Sequence, residues 1–383
     1  MPYFDFNATT PLHPAAFAAW RETTEQAWQN PSSPYRAAAR AHALLEDARE
    51  RLATLLGGDA EDYVFTSGAT EANNAVFTHF ARSAPATARV IVSAIEHPCV
   101  LEAAETWFPG RVTRLACNEQ GVVRLEALDE ALRTGGAAVV SLMAANNETG
   151  VLQPWREAQA LCRARGAPFH CDAAQWLGKL PAETLADCDF LTGCAHKFGG
   201  PKGVGFLKVA ASYAGFRGQR GGEQEHGRRG GTEDVPGIRT LVAALEAIAP
   251  RLAPEQAVWT EARARFEAGL ANAVPDAVVV GADAPRLWNT TMFLAPRHEN
   301  LRWVAALDRR GCQVSTGSAC ATGHDGPSHV LAALGVSPDA ARRAVRVSAG
   351  WDTTPTEWQT LIEALREVWS DLEKEENNAG LVD

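Results

Sequence analysis

The chain is short of several things, and each shortage removes a class of function. No apolar run comes near the ~20 residues that a membrane-spanning helix needs. The N-terminus, Met1-Pro2-Tyr3-Phe4-Asp5-Phe6-Asn7, lacks a basic start and carries an early acid. A secretory or transit leader is therefore not expected, and the protein is expected in the cytoplasm. Basic residues are outnumbered, 36 Lys and Arg against 46 Asp and Glu, leaving a net charge of −10. That balance argues against a nucleic-acid surface, which needs clustered Lys and Arg. None of the eight cysteines stands in a Cys-x-x-Cys pair, which excludes zinc ribbons and thioredoxin-like motifs. In a reducing compartment most of them should be small buried hydrophobes. No internal repeat or low-complexity linker interrupts the chain.

What remains is ordinary for a globular enzyme: 383 residues, 46% apolar and 21% charged. At roughly 150 residues per domain, that length suggests about two domains. Short apolar runs read as strands covered on both faces: 63–66, 89–93, 138–142, 168–172, 189–192 and 204–208. Helical patterns lie between them, the clearest at 43–56, where Leu44, Leu45, Ala48, Leu52, Leu55 and Leu56 share one face and Gly57-Gly58 ends it. Alternation of this kind predicts an α/β, mainly parallel, doubly wound sheet. The pattern changes near Pro250–Pro254. Strands at 277–280 and 290–294 and helices at 300–310 and 355–375 then suggest a smaller α+β domain. The expected division is a large domain at 16–254 and a small one made of 1–15 with 255–383. Residues 373–378 read as a frayed tail.

Two segments carry the chemistry. Lys197 lies in a small-residue stretch, Thr192-Gly193-Cys194-Ala195-His196-Lys197-Phe198-Gly199-Gly200, and Asp172 ends the strand before it. A lysine supplies the amine that can hold an aldehyde cofactor as an imine. An aspartate can keep a pyridine nitrogen protonated, which makes the ring an electron sink. The pair points to pyridoxal phosphate. Upstream, Ser67-Gly68-Ala69-Thr70 turns from strand to helix and can offer free N–H groups to a phosphate, with the Thr70 hydroxyl adding a donor. Gln175 can reach the cofactor's phenolate oxygen. His97, after the second strand, can stack on a pyridine ring or relay protons. Each feature alone also has a bland reading: a capping turn, a strand-end acid, a solvated lysine, a satisfied loop histidine.

Taken in order, the motifs resemble the cysteine desulfurases, pyridoxal-phosphate enzymes of the class V aminotransferase, fold-type I family. The resemblance covers nearly the whole chain. It includes 4–11, Asn30-Pro31-Ser32-Ser33, 65–74, Glu96-His97-Pro98, Asn146-Asn147-Glu148-Thr149-Gly150, Asp172-Ala173-Ala174-Gln175, Ala195-His196-Lys197, 229–233 and Ser315-Thr316-Gly317-Ser318-Ala319-Cys320.

The resemblance implies roles. Lys197 would bind the cofactor's aldehyde, His97 would stack on its ring, Asp172 would pair with its nitrogen, and Gln175 would bond its phenolate oxygen. Gly68, Ala69, Thr70, Cys194 and His196 would cradle the phosphate. Thr232 would complete that cradle in a neighbouring subunit, which implies a homodimer. Asn147, beside the cofactor, and Arg346 would fix the substrate carboxylate. Cys320 would take the sulfur of L-cysteine as a persulfide. Its loop, glycine-rich and polar, suits a swinging nucleophile and resembles the long-loop group that hands sulfur to scaffold or carrier proteins, as in iron–sulfur cluster assembly or another thiolation pathway. No metal is implied.

Two departures stand out. Cys194 occupies a position where the family usually has Ser or Thr, and a thiol is a weak donor; it also reads simply as a buried thiol. His226 replaces the usual arginine, and Gly230 a serine. Alternatives on the same fold are a selenocysteine lyase, a cystine C–S lyase or an aminotransferase. From another class, a non-catalytic sulfur-assembly scaffold is the alternative.

Overall fold

Residues 1–317 and 328–379 are described by the computed structural model, 376–379 in backbone only. The short apolar runs become the centre of the fold. β1 (Tyr63–Thr66), β2 (Arg89–Ser93), β3 (Val112–Leu115), β4 (Ala137–Ser141), β5 (Phe169–Asp172), β6 (Phe190–Cys194) and β7 (Gly205–Val209) form one sheet in the order β1-β7-β6-β5-β4-β2-β3. β7 runs antiparallel to both its neighbours, and every other neighbouring pair is parallel. The mainly parallel, doubly wound expectation holds.

Before and between these strands lie α1 (Pro14–Gln26), α2 (Arg36–Leu56), α3 (Ala69–Ser83), α4 (Pro98–Trp107), α5 (Leu125–Arg133) and α6 (Trp155–Ala164), and after them the long α7 (Val235–Ala273). They cover both faces because successive strand residues point opposite ways. Val90 and Val92 pack with Val76, Phe77 and Ala104 of α3 and α4. Ile91, Val140 and Phe169 pack with Leu52, Cys162 and Leu245 of α2, α6 and α7. α2 begins seven residues earlier than its leucine stripe suggests, because Ala37–Ala43 extends it with strong helix formers.

A second sheet has the order β10-β9-β8, all antiparallel, from β8 (Val278–Val279), β9 (Thr290–Leu294) and β10 (Ala344–Ser348). With it go α8 (Asn300–Arg309), α9 (His329–Ala333), α10 (Pro338–Ala341) and α11 (Pro355–Ala379). Phe293, Trp303, Val345, Leu361 and Leu365 form its core with Phe266 and Leu270 of α7. Phe4 joins that core from the N-terminus. The expected division near residue 254 falls inside α7, which runs through both Pro250 and Pro254. Leu252 and Trp259 are buried on either side of Pro254, and this packing outweighs the cost of two prolines. The expected frayed tail is corrected: α11 continues to Ala379, and Arg302 of α8 reaches Glu375 at 2.5 Å.

Candidate active site

β1, β2, β4, β5 and β6 all run the same way, so their C-terminal ends open on one edge of the sheet, where open α/β sheets bind ligands. A cavity of about 810 Å³ lies there. Into it come Gly68, Ala69, Thr70, His97, Asn147, Asp172, Gln175, Cys194, His196, Lys197 and Arg346. The expected site residues are thus brought together, with two exceptions. Thr232 is exposed and does not line this cavity. Cys320 lies outside the described residues.

Lys197 closes a turn of 3-10 helix, Ala195–Lys197, directly after β6. Its Nζ donates to the carbonyls of Asn7 at 2.7 Å and Ala8 at 2.8 Å. The N-terminal segment therefore holds the amine in place. Asn7 is a hub: its Nδ2 donates to the Asn147 carbonyl and to Thr290, and its Oδ1 accepts from Asn289. Only the side-chain motifs are visible in a sequence, so these backbone acceptors escape it.

Asp172 is buried at the end of β5. Its Oδ2 accepts from Asn73 Nδ2 at 2.8 Å and its Oδ1 from the Ala174 N–H at 2.9 Å. Asn73, on α3, was not singled out from sequence, although it lies one turn after Ala69-Thr70. Below Asp172, His170 is fully buried between Ser141 and Thr192. Burial holds it at about 4, so it is a neutral structural imidazole.

His97 caps α4. Its Nδ1 accepts the Cys99 N–H at 3.2 Å, which leaves the proton of the neutral ring on Nε2. Burial lowers its pKa, the charges of Lys197 and His329 add to that, and Asp172 opposes it. Cys99 is an unforeseen neighbour. Its sulfur lies 3.0 Å from His97 Nδ1 and accepts from Asn73 Nδ2 at 3.2 Å and from the Thr70 hydroxyl. Burial, with Asp172 nearby, pushes the Cys99 thiol up to about 12, so it is inert as a nucleophile at neutral pH.

The expected phosphate cradle has the right construction. α3 starts at Ala69 with no side-chain cap from Gly68, so beyond the Ala69 N–H, which goes to Cys194, its first-turn N–H groups can serve a ligand. Gly68 has φ 148°, and β7 crosses so close that a Cβ on Gly205 would lie 2.6 Å from the Gly68 Cα. Only glycines fit this crossing. Glu71, three residues into α3, accepts the Ser67 N–H at 2.8 Å and is clasped by Arg229 through two bonds, at 2.9 and 3.1 Å. Cys194 is buried, accepts the Ala69 N–H, and is pushed by burial up to about 11. It is both readings at once: a buried thiol and a wall of the cavity. His196, with Nδ1 3.3 Å from the Thr9 hydroxyl, is held by burial and the charges of Lys197, Lys202 and Lys179 at about 4.

Arg346, on β10, reaches the same cavity from the second sheet. It pairs with Asp5 at 2.6 Å and donates to the carbonyls of Asn147 and Gly317, both at 3.0 Å. Its buried Nε has no hydrogen-bond partner among the described residues. An amine, a carboxylate, a stacking imidazole and an uncapped helix start around one cavity match the aldehyde, pyridine nitrogen, ring and phosphate of pyridoxal phosphate. The residues fit the group.

The aminotransferase class-V family profile matches residues 2–361. A cysteine desulfurase of Enterobacter agglomerans is 36% identical over 370 residues, covering 96% of this chain and 92% of that one. A solved NifS-like protein superposes with a TM-score of 0.88 at 30% identity, over 96% of this chain and 99% of that one. SspA in complex with cysteine superposes with a TM-score of 0.79 at 30% identity, over 91% and 98%.

Proposed function

We propose that this chain, which belongs to the aminotransferase class-V family, is a pyridoxal-phosphate-dependent cysteine desulfurase that converts L-cysteine to L-alanine. The observation that carries the reading is the meeting of Lys197, Asp172, His97 and the uncapped start of α3 around one cavity that Arg346 also enters. When bound, the cofactor supplies an aldehyde for the Lys197 amine and an electron-withdrawing ring.

The chain's own groups divide the remaining work. Asp172, fixed by Asn73 and the Ala174 N–H, would hold a proton on the ring nitrogen. Gln175 would donate to the phenolate oxygen, and the start of α3 at Ala69 and Thr70 would hold the phosphate, through the Thr70 N–H first because the Ala69 N–H is taken by Cys194. Arg346, with Asn147, would orient the substrate carboxylate. Lys197 Nζ would take the substrate Cα proton. The Nε2 of His97 exchanges a proton with the substrate thiol. In net terms, L-cysteine and the Cys320 thiol become L-alanine and a Cys320 persulfide, which passes its outer sulfur to an acceptor protein, for iron–sulfur assembly or another thiolation. The large part, 16–254, and the small part, 1–15 with 255–383, are proposed as domains on the strength of their separate sheets and cores.

A homodimer is part of the proposal. Thr232 is exposed and does not line its own chain's cavity, which suits a residue serving a neighbour. Phe17, Trp20, Trp28 and Tyr35 leave large apolar side chains exposed on and after α1, a surface that a second subunit would cover.

Alanine release from L-cysteine tests the activity. Wild type should release alanine, and Cys320→Ser should bind cysteine without passing on sulfur. Full turnover by Cys320→Ser would assign the chain to a C–S lyase instead.

A further inference from the structure

We infer that Lys179 is a positioning residue of this site: it holds the Gln175 amide so that its N–H, and not its oxygen, faces the cofactor's phenolate oxygen. The inference rests on the cofactor reading above and adds a residue to it.

Lys179 is 2% exposed, among the most deeply buried side chains of the protein, and does not line the cavity. Its Nζ donates to Gln175 Oε1 at 2.9 Å. Gln175 Nε2 donates to the Asn7 carbonyl at 3.0 Å, the same carbonyl that accepts from Lys197 at 2.7 Å. The two ends of the amide therefore meet partners of opposite kind. A lysine amine next to an amide oxygen can only donate, and a carbonyl can only accept. Both demand one orientation, and the second N–H of Gln175 is left for the cavity.

The backbone beneath Lys179 is gripped as well. Trp351 Nε1 donates to the Gly178 carbonyl at 2.6 Å, and Trp288 Nε1 to the Lys179 carbonyl at 2.8 Å. Gly178 has φ 69°, and a Cβ there would lie 2.3 Å from the Cβ of Phe198, the residue after Lys197. The turn carrying Lys179 and the turn carrying Lys197 thus lean on each other. Burying an amine is costly unless it is bonded. Here Lys197 and Arg346 oppose its charge and the Cys194 thiol favours it, and burial brings it down to about 7. In either protonation state it still donates to Gln175.

The test uses apo-protein titrated with pyridoxal phosphate, in wild type, Lys179→Met, Lys179→Leu, Gln175→Leu and the Lys179→Met/Gln175→Leu double variant. The readouts are the half-saturating cofactor concentration and the pH midpoint of the bound cofactor's visible band. Losing the oriented donor should raise the midpoint by about one unit, and half-saturation about tenfold, the scale of one charge-assisted hydrogen bond. Met and Leu should shift it alike although their shapes differ, so either alone suffices if the other does not fold. In the Gln175→Leu background, Lys179→Met should add almost nothing. An unshifted midpoint in the Lys179 variants, or the same shift with Gln175 already gone, overturns the inference. A wild type that forms no visible band overturns the cofactor reading together with it.

Discussion

At the scale of single residues, the site is built from groups that hold other groups. Asp172 can act on a ring nitrogen only because Asn73 and a backbone N–H fix its two oxygens. Asn73→Leu should therefore weaken cofactor binding by about 1–2 kcal/mol, roughly tenfold, measured by titrating apo-protein. Unchanged affinity would mean Asp172 needs no help. Lys179 makes a prediction about stability. Its folded value, about 7, lies below the 10.5 of a free lysine, so between the two the unfolded chain holds the extra proton. Stability of wild type relative to Lys179→Met should rise as pH increases through that window, read by melting the apo-proteins. Parallel curves for the two proteins would contradict it. Residues of this kind are poorly legible in sequence. Lys197 announces itself by its glycine-rich surroundings, whereas Lys179 follows a glycine in a turn and looks solvated. Asn7 acts through its carbonyl, which any residue possesses.

Among elements, the strands of the large sheet were readable because burial on both faces leaves them almost wholly apolar. β3 escaped because it is a part-exposed edge strand containing Thr113 and Arg114. β10 escaped because Arg346 interrupts a strand that is nonetheless buried. The two prolines of α7 mark no break, since packing on both sides holds the helix together. One tie between elements is open to test. Arg49 of α2 is buried against Glu225 at 2.7 Å, donates to the Tyr63 carbonyl, and Glu225 also accepts the Phe65 N–H. This cluster joins α2, β1 and the turn at Glu225–Gly227, where Glu225 and His226 hold left-handed backbone, φ 52° and 56°. Arg49→Met should cost about 3–5 kcal/mol by stranding a buried carboxylate, and adding Glu225→Gln should return part of that. Denaturant unfolding measures it; a loss below about 1 kcal/mol would show that the pair is not the anchor.

Across the whole molecule, the N-terminal segment ties the two sheets to one site. Phe4 packs in the small core, Asp5 pairs with Arg346, and Asn7 reaches Thr290, Asn147 and Lys197 within a few residues. No helix among the described residues is long and apolar enough to cross a membrane. The exposed aromatics around α1 and the exposed Thr232 predict a dimer in solution, which light scattering of the holo-protein would detect as twice the 41.0 kDa chain mass. A monomer at micromolar concentration would leave Thr232 without a role. Three lysines lie at or close to this one cavity, Lys197 and Lys202 in its lining and Lys179 behind it, and only Lys197 is assigned the cofactor, so the decisive measurement is borohydride reduction of the pyridoxal-phosphate-loaded protein followed by peptide mass mapping. The cofactor's added mass should fall on Lys197. Label on Lys179 or Lys202, or no label, would contradict that assignment.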